Sequence, residues 1–204
     1  TATAGADHFD IPWLNHAGIA WSASPGCNAN AVAEYAATAI VLLARKRAAL
    51  LAGKTVGIVG VGQVGSRVAE KAALLGLRVL RNDPPLALKT GSPDYLPLET
   101  VLPGADILTL HVPLESAGPF PTRHLADCRL FGKLKPGAWF LNTSRGEVAD
   151  PDSLQCALDH HLLSACVLDV WENEPELPAA VRSAADFLTP HIAGYSFEGL
   201  LNGT

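Results

Sequence analysis

The chain has 204 residues, 49% of them hydrophobic and 17% charged, which suits one well-cored domain, or a domain with part of another, and excludes a disordered chain. Its formal net charge is −5, and lysine and arginine are scattered apart from Arg45-Lys46-Arg47, which argues against a nucleic-acid partner. No leader peptide and no apolar run long enough to cross a bilayer is visible, so the expectation is a cytoplasmic protein without a membrane partner. Cys27, Cys128, Cys156 and Cys166 show no C-x-x-C spacing and read as reduced thiols, with no metal site expected. The sequence opens on Thr1 and contains no methionine, which suggests a piece of a longer product.

Residues 1–25 carry two short segments, around Asp7-His8-Phe9-Asp10 and Ile19-Ala20-Trp21-Ser22, too little for a domain of their own. Pro25-Gly26-Cys27-Asn28 predicts a turn and an N-cap, and an alanine-rich helix is expected over 29–47 with Val32, Ala36, Ala39, Ile40 and Leu43 on one stripe. The basic trio falls at the end of that helix, where the helix dipole favours it. A β-branched strand over 55–59 is followed by a helix over 63–75, with Val64, Val68, Ala72 and Leu75 on one face, and a second strand over 78–82. Residues 84–97 read as a surface connection. A short helix from 97, a strand over 106–111, a loop over 114–123 and a helix over 125–134 come next. Then follow a strand over 138–142, a helix over 152–160 and strands over 165–169 and 187–189. Short apolar strands alternating with helices predict an α/β fold, a Rossmann-type doubly wound parallel sheet joined by right-handed crossovers.

The strongest functional signal is Gly60-Val61-Gly62-Gln63-Val64-Gly65, placed between a strand and a helix. There Gly60 makes the turn, Gly62 leaves room for a pyrophosphate, Gly65 permits close packing of helix on strand, and the helix start offers free N–H groups. Asp83, at the end of the second strand, stands where an acid meets an adenosine ribose, so a dinucleotide is expected. In an open parallel sheet, ligands bind beyond the carboxyl ends of the strands. The residues that follow the strands are Gly60 and Gly62, Asp83, His111, the Asn142–Gly146 run, Asp169 with Glu174, and Pro190-His191. In that setting Arg145 can hold a carboxylate in a two-pronged pair, against a plain reading as a solvated charge. His191 acts chemically only with a partner. Glu174 is the nearest plausible carboxylate, although Glu172 and Glu176 share its acidic loop. Asp169 either receives a carboxamide N–H or caps the next turn. His111 reads as lining or structural, His124 as local, and His160-His161 as helix-end surface.

Taken together, the 60–65 turn, Asn142-Thr143-Ser144-Arg145-Gly146, Asp169-Val170-Trp171-Glu172-Asn173-Glu174-Pro175 and Pro190-His191 resemble the D-isomer-specific 2-hydroxyacid dehydrogenases. Residues 25–35, 83–85, 118–127 and 191–195 are similar to the branch that oxidises 4-phospho-D-erythronate to its 2-oxo acid in pyridoxal phosphate biosynthesis. The resemblance implies NAD as cofactor and a small phosphorylated 2-hydroxy acid as substrate. It implies that Arg145 binds the substrate carboxylate, that Glu174 supports His191, and that His191 exchanges the 2-hydroxyl proton. It sets Gly60, Gly62, Gln63, Val64, Gly65, Asp83, Val112, Thr143, Asp169 and Gly194 at the cofactor and Thr3 and Tyr195 near the substrate.

The same resemblance makes 1–24 the end of a substrate domain and 25–192 the dinucleotide domain, entered through the crossing helix 29–47. Residues 193–204 begin the return to the substrate domain, and the longer parent is expected to be a homodimer. Two departures stand out. Leu200-Leu201-Asn202 replaces basic residues usual in the family, and Val112 replaces a common threonine. The alternatives are a dehydrogenase for another D-2-hydroxy acid such as glycerate or 3-phosphoglycerate, and an NAD-binding interaction module without turnover.

Overall fold

The computed structural model describes residues 4–6 and 8–203. Five of its strands are four to six residues long: β1 (Thr55–Val59), β2 (Arg78–Asn82), β3 (Ile107–Leu110), β4 (Ala138–Asn142) and β5 (Leu163–Leu168). A two-residue β6 (Phe187–Leu188) completes one sheet in the order β2-β1-β3-β4-β5-β6, every pairing parallel. β1, β3 and β4 are buried along their whole length, because helices cover both faces and leave no solvent side for polar alternation. On one face Phe131, Phe140, Leu108 and Leu168 form a core. On the other, Ile58, Val68, Ile107 and Leu141 pack beneath α2 (Ala29–Lys46) and α3 (Gln63–Leu74).

The expected stripe of α2 is buried in full, and Glu34 lies on the exposed side. At its end Lys46 Nζ lies 2.8 Å from Asp186 Oδ1, and Arg47 Nη2 donates to both Asp186 oxygens at 3.0 and 2.8 Å. Burial works against the Asp186 charge, but these bonds and the Cys166 N–H hold its carboxyl below the usual value. Two of the basic trio, Lys46 and Arg47, therefore tie α2 to the far edge of the sheet as well as suiting the dipole.

Several expectations need correction. Residues 84–97 are more than a connection: Asp83 caps α4 (Pro84–Thr90) by accepting the Leu86 N–H, Pro84 and Pro85 fill positions where a helix needs no N–H, and Gly91 ends it in the left-handed region. Tyr95 then makes a single parallel bridge to Arg81, a vestige of a further strand beside β2. The helix expected over 125–134 shortens to α6 (Cys128–Lys133), capped by Asp127, because Ala126 is drawn into a bridge with Ala149. Asn28 occupies the N-cap position of α2 but makes no side-chain cap, its amide being packed beside Gly194 instead.

Helices that were not expected are α1 (Ile11–His16), capped by Asp10, α8 (Ala179–Ala184), and α9 (Phe197–Gly203), which packs on α2. The remaining helices, α5 (Leu98–Gly104) and α7 (Pro151–Asp159), fall where the sequence put them. Among the described residues no helix is long and apolar enough to cross a membrane, and no cluster of metal-ligating side chains forms.

Candidate functional site

The chain runs from β1 out to β2 and then returns to the other side of β1 to lay down β3. The crevice between the carboxyl ends of β1 and β3 is therefore the switch point at which such sheets take their ligands. Gly60 lines it at φ +85°, and an added Cβ would run into the His111 carbonyl and the Val112 side chain. Gly65 is equally constrained, since its Cβ would overlap the Gly60 carbonyl oxygen. Gly62 differs: nothing lies within 4 Å of where its Cβ would be. The fold demands glycine at the first and third positions, while the second faces open space. Gly62 is the N-cap of α3, whose first N–H groups, at Gln63, Val64 and Gly65, have no partner within the helix.

Asp83 reaches back to this turn. The Val61 N–H donates to its Oδ2 at 2.8 Å and the Leu86 N–H to its Oδ1 at 2.9 Å, so one carboxylate joins the glycine turn to α4. Each oxygen keeps lone pairs for a further donor. Val112 is half-buried against the core beside Gly60. His111 Nε2 is 3.0 Å from Thr109 Oγ1 and its Nδ1 3.3 Å from Thr143 Oγ1. Burial drives its pKa down to about 3, so the ring is neutral, in keeping with a lining role.

The loop after β4 is shaped by Asn142, whose Oδ1 accepts from both the N–H and the hydroxyl of Ser144 and whose Nδ2 donates to the Arg145 carbonyl at 2.9 Å. That turn presents Arg145, partly exposed, with Nη1 donating to the Ser144 carbonyl at 2.8 Å. A Cβ on Gly146 would overlap the backbone of Trp171 and Glu172, so the loops after β4 and β5 press together there.

The acidic loop resolves what the sequence left open. Glu174 is the glutamate turned to the histidine: its Oε2 is 3.0 Å from His191 Nδ1, and its Oε1 accepts the Trp171 N–H at 3.2 Å. Glu172 faces the other way, 2.8 Å from both Arg123 Nη2 and His124 Nε2. His124 is thus not local, as its sequence neighbourhood suggested, but bridges 48 residues to the post-β5 loop. Its other ring nitrogen lies 3.7 Å from Asp150, whose carboxyl is held low mainly by Ser153 and, more weakly, by His124.

Asp169 is almost fully buried and caps the turn that follows β6. Its Oδ1 accepts from the Thr189 hydroxyl (2.6 Å) and the Ile192 N–H (2.9 Å), and its Oδ2 accepts the Ala193 N–H at 2.8 Å. Of the two roles open to it, capping is the one visible in these bonds, with room at Oδ2 for one more donor. His191 stands in this turn at φ +55°, 48% exposed, its N–H bonded to the Asp169 and Thr189 carbonyls. Gly194 is pressed on the Asn28 amide and Val32 of α2, a packing reason for glycine that is separate from any cofactor contact. Tyr195 is 77% exposed beside it. Thr3 lies outside the described residues. Sequence reasoning missed the Glu172 clamp and the Tyr35–Thr189–Asp169 contacts, since no spacing rule links residues on different elements that lie 20 to 154 positions apart.

The model of the D-isomer specific 2-hydroxyacid dehydrogenase, NAD binding domain, matches residues 33–193. The chain belongs to this family. The stretch matched contains the glycine turn, Asp83, Arg145, Glu174 and His191. Over its whole length the chain is 50% identical to an erythronate-4-phosphate dehydrogenase of Photorhabdus laumondii and 48% identical to one of Salinibacter ruber, covering 54% and 53% of those proteins. It thus spans about half the length of the curated relatives it matches. Among solved structures, an NAD-dependent formate dehydrogenase of Staphylococcus aureus in complex with NAD superposes on all of the chain and 67% of its own, with TM-score 0.85 and 25% identity. A D-lactate dehydrogenase of Aquifex aeolicus complexed with NAD and lactic acid does so over all of the chain and 71% of its own, with TM-score 0.79 and 26% identity.

Proposed function

We propose that this chain is the dinucleotide-binding half of an enzyme that oxidises 4-phospho-D-erythronate to the corresponding 2-oxo acid with NAD. The observation that carries the chemistry is the Glu174–His191 pair at 3.0 Å, standing at the same sheet edge as Arg145 and the glycine turn. The erythronate-4-phosphate dehydrogenases at 48–50% identity support the substrate. The glycine turn fits the cofactor, since the one glycine that the fold does not require faces open space at the start of α3. Gln63, Val64 and Gly65 would offer N–H groups to the pyrophosphate, and Asp83 would accept from the adenosine ribose and disfavour a 2′-phosphate. Val112, Thr143, Asp169 and Gly194 would line the nicotinamide side.

NAD, when bound, supplies the carbon that accepts the hydride leaving C2 of the substrate. Arg145 holds the substrate carboxylate through its planar fork and thereby orients C2. His191 takes the 2-hydroxyl proton at Nε2 as the carbonyl forms. Glu174 fixes Nδ1 as the protonated nitrogen and offsets the positive charge that the ring gains. Residues 25–192 form the dinucleotide domain in this reading. Residues 1–24 and 193–204, with Thr3 and Tyr195, belong to a second domain that would supply the phosphate-recognising groups, in a cytoplasmic homodimer. The test is a steady-state panel in the intact protein with 4-phospho-D-erythronate, D-glycerate and 3-phosphoglycerate, each with NAD and NADP. The highest kcat/KM is expected for 4-phospho-D-erythronate with NAD, and a low rank for that substrate would transfer the site to another 2-hydroxy acid.

A further inference from the structure

Tyr35 sits midway along α2, 154 residues from Thr189, yet its hydroxyl lies 2.5 Å from Thr189 Oγ1. Thr189 Oγ1 in turn donates to Asp169 Oδ1 at 2.6 Å. An ionised carboxylate only accepts, so the single hydroxyl proton of Thr189 is committed to Asp169. The proton between Tyr35 and Thr189 must then come from Tyr35, and the order of donation is fixed as Tyr35 to Thr189 to Asp169. Burial holds the Tyr35 phenol above its usual pKa, against the opposing pull of Thr189 and with a further push from the Asp169 charge, so the donor form is maintained.

What hangs on Asp169 is the turn that carries His191. The Asp169 carbonyl accepts the His191 N–H at 2.8 Å, and its carboxylate takes the next two N–H groups, of Ile192 and Ala193. His191 is a non-glycine residue at φ +55°, a conformation that persists only where surrounding bonds impose it. α2 braces the same turn a second time, because Asn28 and Val32 fill the space beside Gly194. Positions 28, 32 and 35 follow helical spacing and share one face of α2.

We infer that Tyr35 is a positioning residue for His191, acting through the Thr189 hydroxyl and the Asp169 carboxylate. The inference rests on the proton-transfer role given to His191 above. Without the phenolic proton, Thr189 Oγ1 loses the donor that orients it. The Asp169 carboxylate is then held on one side less, and the His191 ring departs from the line between Glu174 and the substrate hydroxyl.

The test compares Tyr35→Phe, Thr189→Val and Thr189→Ser in the intact protein. Tyr35→Phe and Thr189→Val are expected to lower kcat roughly fivefold, the worth of about one net hydrogen bond, with a smaller change in the KM of the 2-hydroxy acid. Thr189→Ser, which keeps the hydroxyl, is expected to keep kcat. Amide hydrogen exchange at Ile192 and Ala193, read without cofactor, is expected to quicken in the first two variants and not in the third. Wild-type kcat and exchange in Tyr35→Phe would overturn the inference, as would equal loss in Thr189→Ser and Thr189→Val. Should Thr189→Val not fold, Tyr35→Phe decides alone. If the wild-type protein lacks dehydrogenase activity, the proposed function fails, and the exchange rates still decide whether Tyr35 and Thr189 fix the turn.

Discussion

The glycine turn at 60–65 and the edge from Asp169 to Gly194 both lie beyond the carboxyl ends of the sheet, with β3 and β4 between their strands, yet they are held by different means. The turn is mostly local: β1 enters it, α3 leaves it, and the Gly60 carbonyl packs against Gly65 only five residues on. Its distant restraints are backbone ones or backbone to a single carboxylate: the Gly60 N–H donates to the Asn82 carbonyl at 2.8 Å, the Val61 N–H donates to Asp83, and the His111 carbonyl closes over Gly60. The Asp169–Gly194 edge has little local support. His191 takes an unfavourable backbone conformation and depends on Asp169, Glu174 and Thr189, and behind them on Tyr35, Asn28 and Val32 of α2. The difference teaches where each element is vulnerable. The turn breaks through steric overlap at single positions, whereas the His191 edge loosens through the loss of distant hydrogen bonds while the fold survives.

The largest effect on that contrast is expected from comparing a constrained position of the turn, Gly65, with its unconstrained one, Gly62. Gly65→Ala puts a methyl group into the Gly60 carbonyl and should cost about 3 kcal/mol or more of stability, with a fall in Tm of roughly 10 °C or more. Gly62→Ala meets nothing and should melt close to wild type, while NAD binding, measured by titration calorimetry, weakens by roughly tenfold or more. Equal melting points for the two variants would show that the turn is not under the steric control assigned to it.

At the other region, Glu174→Gln should lower kcat roughly 10–100-fold by removing the charge beside His191. Its Tm should change little, because the pair is 48% exposed at His191 and 31% at Glu174, and exposed ion pairs add little to stability. A large fall in Tm with preserved kcat would reverse the distinction between the two regions.

The smallest effect is a pH dependence from His111, between the two. Its folded pKa, about 3, lies below the ordinary 6.5, so below pH 6.5 the unfolded chain takes up a proton that the folded chain refuses. The stability present above pH 6.5 is therefore lost as pH falls towards 3, by at most about 1.4 kcal/mol per pH unit from this group. Denaturant melts of wild type and His111→Gln between pH 7 and 5.5 should show a shallower slope in the variant.

Much of this was legible in the linear chain because the determining interactions are short-ranged. β1 and β4 appear at the expected residues, since a run of apolar side chains bounded by turns has few alternatives in a sheet covered on both faces, and the half-buried edge strand β2 also falls at 78–82. The acids and histidines at the strand ends were visible as candidates for the same reason. Pro84-Pro85 looks like a break in the linear chain, yet in the structure the two prolines open a helix behind the Asp83 cap. Glu172 and Glu174, two residues apart, were indistinguishable until the loop was folded.

What the sequence determined by itself is the alternation of strands and helices, the glycine turn, and the kinds of side chain that reach the carboxyl edge. These follow from side-chain shape and from spacing within an element, which act over a few residues. Only the tertiary structure decided that Glu174 and not Glu172 meets His191, that His124 braces the acidic loop, and that Tyr35 stands behind the Asp169 cap. Such pairings depend on which loops the sheet order brings together, and that order is set by burial across the whole domain, not by any one segment.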